Sequence, residues 1–122
     1  MVWQMDSDRP IYAQLIEQIK LRIMTGVYPA GSRLPSVRDI AAEASVNPNT
    51  MQRALAELER ENLVQTARTS GRFITDDEGM IRKMKESMAK EMVNAFFEKM
   101  SSLGYAKDET LSIIETAAKE ME

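Results

Sequence analysis

The chain contains no cysteine and no histidine. Together these absences exclude disulfides, thiolate nucleophiles, Cys/His zinc sites and a histidine general base. No apolar run exceeds a few residues, and a membrane-spanning helix needs about 20. The opening MVWQMDSDRP is polar and acidic and lacks the apolar stretch of a secretory signal. No glycine-rich loop that would cradle a phosphate is present, nor paired carboxylates in an evident cleft. The expectation is a non-enzymatic, cytoplasmic protein with no metal, no cofactor and no membrane partner. Its work would be binding.

Of the 122 residues, 43% are hydrophobic, enough to bury a core in one domain or in two small ones. The net charge of −3 is unevenly spread. Residues 1–76 hold nine cations, Arg9, Lys20, Arg22, Arg33, Arg38, Arg53, Arg60, Arg68 and Arg72, against nine acids. Residues 77–122 hold seven cations and ten acids and account for the whole deficit. The cations of the first part are Arg with one exception, and those of the second are Lys with one exception. Arginine forks onto phosphates and guanine edges, whereas lysine is the ordinary solubilising cation. Arginine also serves in salt bridges, so this contrast is suggestive only when joined to position.

Helical spacing of Ile11, Leu15, Ile16, Ile19 and Ile23 predicts a first helix over residues 10–25, with Pro10 at its first position and Gly26 at its end. VYPAGSRLP is a turn-rich link with room for a very short strand at Arg33-Leu34. A second, short helix opens at Ser36, where Ser36 and Asp39 resemble a capping box; it buries Val37, Ile40, Ala41 and Ala44. A third opens at Asn47 as N-cap with Pro48 behind it, buries Met51, Ala54, Leu55 and Leu58, and stops near Glu61. Asn62 can take the left-handed conformation that ends it. LVQTARTSGRFIT then reads as a hairpin whose tip is flanked by Arg68 and Arg72.

The polar break Asp76-Asp77-Glu78-Gly79 marks the expected boundary between a domain of residues 1–76 and one of residues 77–122. Beyond it one long helix is expected from Met80 to Leu103 and a second from Lys107 to Met121. Met84, Met88, Met92, Phe96 and Met100 share a face of the first, and Ile113 and Ile114 lie on the second. Methionine adapts to varied ligands. Two helices, however, cannot enclose both a seam and a sizeable pocket, so a helix–helix core is the plainer reading. These apolar faces are too broad to bury against each other alone. The expected solution is a homodimer through this tail, with those seven residues at its seam.

Helix, short helix, turn, helix and hairpin in this order make a winged helix-turn-helix, so the predicted architecture is mainly α. Three helices and a β-hairpin wing come first, followed by a two-helix dimerisation tail. A helix as short as the second is stable only when neighbours hold it. Its use is to brace the third, whose N-terminal end then enters the major groove of double-stranded DNA.

The stretch GSRLPSVRDIAAEASVNPNTMQRALAELERENLV, followed by RTSGRFIT, resembles the N-terminal domain of the GntR family of bacterial transcription regulators. The resemblance covers residues 9–75 closely and the remainder more loosely, and the short helical tail points to the YtrA subfamily. It implies DNA contact by Arg38 at the start of the second helix and by Asn47, Asn49 and Thr50 at the start of the third. Gln52 stands where many members carry a base-reading arginine; glutamine suits adenine. Arg53 beside it would take phosphate. Gly71 matches the wing-tip glycine, and Arg33, Ser36, Arg68, Thr69 and Arg72 complete the expected DNA-facing set. Ser45 and Asn62 depart from the glycines usual at those two turns.

Each assignment has a plain structural alternative. Arg38 could pair with acids on a neighbouring helix, Arg53 could bridge Glu57 one turn on, Asn47 could be a cap alone, and Arg68 and Arg72 could be solvated edge charges. The function implied is a homodimeric, sequence-specific regulator, a repressor on a pseudo-palindromic operator, with transporter operons frequent among YtrA-like targets. A dimeric helical module docking a protein through its winged domain is the alternative. A small-molecule effector is left open.

Overall fold

The computed structural model describes residues 1–122. The elements are α1 (Ile11–Met24), α2 (Val37–Ala44), α3 (Pro48–Arg60), β1 (Val64–Ala67), β2 (Gly71–Ile74), α4 (Glu78–Ser102) and α5 (Lys107–Glu120). The expected order is borne out, with boundaries within two residues. Two compact units result, a head of Met1–Lys83 and a tail of Met84–Glu122, dividing within α4.

In the head, α1 and α2 each pack on α3, and β1 packs on its C-terminal part. Leu15, Ile19 and Ile23 of α1 meet Ile40 and Ala41 of α2 and Met51, Leu55 and Leu58 of α3 in a core closed by Leu34, Val64 and Ile74. Full burial of each large aliphatic contributes about 1.5–3 kcal/mol. Ile11, at the margin of the predicted stripe, is 36% exposed. Pro10 precedes α1 as its cap residue, with an extended ψ of 131°, rather than being its first helical residue.

One device ends three of the helices. Ser45 (φ 57°) and Asn62 (φ 65°) adopt the left-handed conformation, as does Gly104 (φ 95°). In each case the turn returns two N–H groups to the last free carbonyls. Ser45 and Val46 bond Ala42 and Ala41 (3.2 and 3.0 Å), and Asn62 and Leu63 bond Glu59 and Leu58 (both 3.0 Å). Gly104 and Tyr105 bond Ser101 and Met100 (2.9 and 3.2 Å). Thus α2 is cut off after 8 residues, and Asn47 can restart the chain two residues later in extended geometry (φ −64°, ψ 131°).

The wing strands are antiparallel, with Val64 opposite Ile74, Gln65 opposite Phe73, Thr66 opposite Arg72 and Ala67 opposite Gly71. The short strand expected near Arg33 exists as a bridge to Phe73, secured by Leu34 N–H on Arg72 O and Ile74 N–H on Ser32 O, both 2.8 Å.

Residues before α1 are bound along it by side-chain amides acting as a substitute backbone. Gln14 accepts from Asp6 N–H (2.6 Å) and donates to Asp6 O and Arg9 O (2.8 and 2.9 Å). Gln18 pairs in the same reciprocal way with Gln4. One turn further on, Arg22 is buried with its guanidinium 3.6 Å from the centre of the Trp3 ring. Burial lowers its pKa from the ordinary arginine value.

The tail is built differently. No residue of α4 is buried, and Thr110, whose hydroxyl donates to Ala106 O (3.0 Å), is the only buried one of α5. α4 and α5 make no extended packing contact with each other. Met84, Met88 and Met100 are half-buried, while Met92 is 66% exposed. Phe96, Leu103, Leu111, Ile113 and Ile114 are likewise exposed to solvent.

Candidate nucleic-acid interface

Local chemistry builds the start of α3. Asn47 Oδ1 accepts from Asn49 N–H at 2.8 Å, so the Asn47 side chain is engaged as the cap. Pro48 occupies the first helical turn, where its missing N–H costs nothing. Asn49, Gln52 and Arg53 are exposed on one face and Thr50 is half-buried, while Met51, Ala54 and Leu55 of the opposite face are in the core. Ser36 likewise serves as a cap, its hydroxyl accepting from Asp39 N–H at 3.1 Å. Arg38 follows as the second residue of α2, exposed and with no hydrogen bond or ion pair.

Charge in the head is sorted by pairing. Arg9 binds Glu17 (2.6 Å), Lys20 binds Glu61 (2.9 Å), Arg60 binds Glu57, and Arg72 binds Glu59 (2.8 Å). Arg22 is buried on Trp3. Of the nine cations in residues 1–76, the remaining four, Arg33, Arg38, Arg53 and Arg68, are exposed and carry no ion pair. They sit beside the wing, at the start of α2, in the first half of α3 and at the wing tip. Five of the nine acids in residues 1–76, Asp6, Glu17, Glu57, Glu59 and Glu61, are engaged by cations that lie elsewhere. The four free arginines lie on or beside the elements that a winged helix-turn-helix turns toward a duplex, with unpaired Asp39 and Glu43 also on α2.

Two expected residues have partners that the sequence did not reveal. Arg72 is drawn inward to Glu59, which also accepts from the Thr66 hydroxyl directly across the hairpin. Burial works to raise the Glu59 carboxyl, but the bonds from Thr66 and Arg72 outweigh it and hold the group below its ordinary value. The wing is thereby clamped to the recognition helix. Gly71 has φ +96°, and a Cβ there would lie 3.3 Å from Arg33 Nε. The glycine thus lets the Arg33 guanidinium lie against the wing backbone. At the hairpin tip, Arg68, Thr69 and Ser70 are exposed.

Sequence reasoning missed Tyr12. It belongs to α1, yet its ring lies beneath the Arg53 guanidinium, 4.8 Å from centroid to Cζ. Glu57, the alternative partner one turn beyond Arg53, binds Arg60 through Oε2 and makes no ion pair with Arg53.

Comparison with known proteins agrees with this geometry. Residues 11–74 match the family of bacterial regulatory proteins, gntR family. The chain is 38% identical over 113 residues to the HTH-type transcriptional regulator YhcF of Bacillus subtilis, covering 93% of each chain. It is 36% identical over 97 residues to the HTH-type transcriptional repressor YtrA of the same organism, covering 75% of each. A GntR family transcriptional regulator from Listeria monocytogenes superposes with a TM-score of 0.86 at 38% identity, over 92% of this chain and 98% of that one.

Proposed function

Because the chain belongs to the GntR family of bacterial regulatory proteins, of YtrA-like type, we propose that it represses transcription by binding double-stranded DNA as a homodimer. The observation that carries this reading is the charge sorting. Within residues 1–76 the exposed cations left without an acid are Arg33, Arg38, Arg53 and Arg68, and each lies on or beside an element that faces DNA in this fold. Arg53, Gln52 and Asn49 are the groups that read or anchor the major groove. Arg38 takes phosphate from the α2 side, and Arg33, Arg68, Thr69 and the Gly71 backbone form the wing contact. Asn47 and Ser36 contribute by holding the helix starts in place, which leaves backbone N–H groups aimed outward at phosphate. Arg72 contributes by fixing the wing through Glu59.

The mechanism needs no chemistry. Occupying a promoter excludes polymerase, and affinity rests on phosphate neutralisation with release of counterions. Exposed Met92, Phe96, Leu111, Ile113 and Ile114 support a seam with a second copy, since α4 and α5 leave these residues open to solvent. A two-fold dimer presents two recognition helices to half-sites about one helical turn, roughly 34 Å, apart. A cytoplasmic location follows from that role.

Fluorescence anisotropy on a duplex taken from upstream of the protein's own coding region tests this. Log affinity should fall linearly with log salt. The double variant Arg38→Ala/Arg53→Ala should abolish binding while sedimentation still shows a dimer. DNA binding that survives both substitutions would place the recognition surface elsewhere.

A further inference from the structure

We propose that Tyr12 is a positioning residue for DNA binding: it holds Arg53 extended toward the duplex while leaving its charge unneutralised. The inference rests on the DNA-binding reading above and adds to it a residue outside the helix-turn-helix and the wing. Its ground is the choice of partners seen on α3. Arg53 and Arg60 are two turns apart on one face, and Glu57 lies between them, within one turn of each. A carboxylate can bridge two guanidiniums, yet here only Arg60 is bonded to Glu57. Arg60 holds Glu57 through Nε (2.8 Å) and Nη2, and its pKa is raised chiefly by that bond, with a smaller contribution from the Tyr12 hydroxyl. Arg53 instead rests on the Tyr12 ring.

The two kinds of partner have opposite consequences for binding an anion. A carboxylate cancels the charge of a guanidinium and must be displaced before phosphate or a base edge can take its place. An aromatic face restrains the guanidinium through its quadrupole and covers one flat side. The edge N–H groups, which donate hydrogen bonds in the plane of the guanidinium, stay free. Tyr12 is half-buried, so its ring is itself fixed by the head. The long Arg53 side chain is thus partly ordered before DNA arrives, which lowers the entropy lost on binding. Removing the ring frees Arg53 to swing one turn along α3 and contend for Glu57.

The test compares Tyr12→Phe, Tyr12→Leu, Arg53→Ala and Tyr12→Leu/Arg53→Ala on the same upstream duplex, with folding checked by thermal melting. Tyr12→Leu should weaken binding about threefold to fivefold, and Tyr12→Phe, which keeps the ring, should bind close to wild type. In the Arg53→Ala background Tyr12→Leu should cost nothing further. In the free protein, NMR should show the Arg53 Cδ protons shifted upfield by the ring current in wild type and Tyr12→Phe, and the shift should vanish in Tyr12→Leu. Adding Glu57→Gln to Tyr12→Leu should restore more affinity than Glu57→Gln gives wild type. Equal affinity of Tyr12→Leu and wild type, or an equal loss with and without Arg53, overturns the role of Tyr12 while Arg53→Ala still weakens binding. An Arg53→Ala protein that binds as tightly as wild type overturns the recognition surface itself.

Discussion

The head and the tail use similar apolar residues to opposite ends. In the head, Leu15, Ile19, Leu55 and Leu58 are wholly or almost wholly removed from water by four elements that enclose them. In the tail, Leu111, Ile113, Ile114 and Phe96 lie on helices that bury almost nothing. Helical periodicity is present in both, and it says only which residues share a face. Whether that face is covered depends on how many further elements the same chain brings to it. The head supplies two helices and a hairpin around α3; the tail supplies two helices that do not pair. The head therefore holds its stability within one chain, and on the proposed reading the tail completes its core with a second one.

The sharpest way to break this contrast is to place charge on the tail. Phe96→Asp with Ile114→Asp would bury two unpaired carboxylates at the proposed seam. That should cost roughly 3 kcal/mol or more, raising the dimer dissociation constant about a hundredfold or beyond. Sedimentation equilibrium reads this directly, and unchanged association would show that the seam lies elsewhere. A single core truncation in the head comes next. Leu58→Ala should cost about 3 kcal/mol in urea unfolding, by the same amount at every protein concentration. Phe96→Ala, in contrast, should destabilise in a manner that depends on concentration. If both behaved alike, the distinction between the two units would fail.

Smaller effects sharpen the picture inside the head. Asn47→Ala should lose about 1 kcal/mol, because Asn49 N–H is left without its cap acceptor. Ser45→Gly should gain up to about 1 kcal/mol by relieving a side chain held at φ 57°. The smallest effect concerns the clamp between wing and α3. Glu59 titrates below the ordinary carboxylate value when folded. Its stabilising contribution is therefore complete above the unfolded-state value and is lost as pH falls through the folded one. Wild type should exceed Glu59→Gln in urea midpoint at neutral pH, with the gap closing on acidification below the usual carboxylate range.

Much of the fold was legible because its signals are local. Asn47-Pro48 announces a helix start, and Ser36 a cap, through bonds that span two or three residues. Asn62 was readable as a left-handed stop for the same reason, and Ser45 was marked by standing where glycine is usual. The short strand at Arg33 was also within reach, since turn residues confine it on both sides. The pairing of the arginines was not legible. Arg72 and Glu59 are 13 residues apart and Lys20 and Glu61 are 41 apart. Nothing in the one-dimensional pattern says which of nine acids a given arginine will meet. Tyr12 was hidden in the same way, as one residue of a helix whose apparent task is to supply a buried stripe.

Sequence alone thus determined the series of helices, their caps and stops, the hairpin, and which residue types stand at the start of α3, because each depends on dihedral preferences and on bonds between near neighbours. Tertiary structure decided which cations are free. Acids from α1, α3 and the segment after it take Arg9, Lys20, Arg60 and Arg72, and Tyr12 supports Arg53 without an acid. The physical reason is that Coulomb and cation–π attractions act through space over a few ångströms. Folding alone sets those distances, and with them which charges remain to meet a partner.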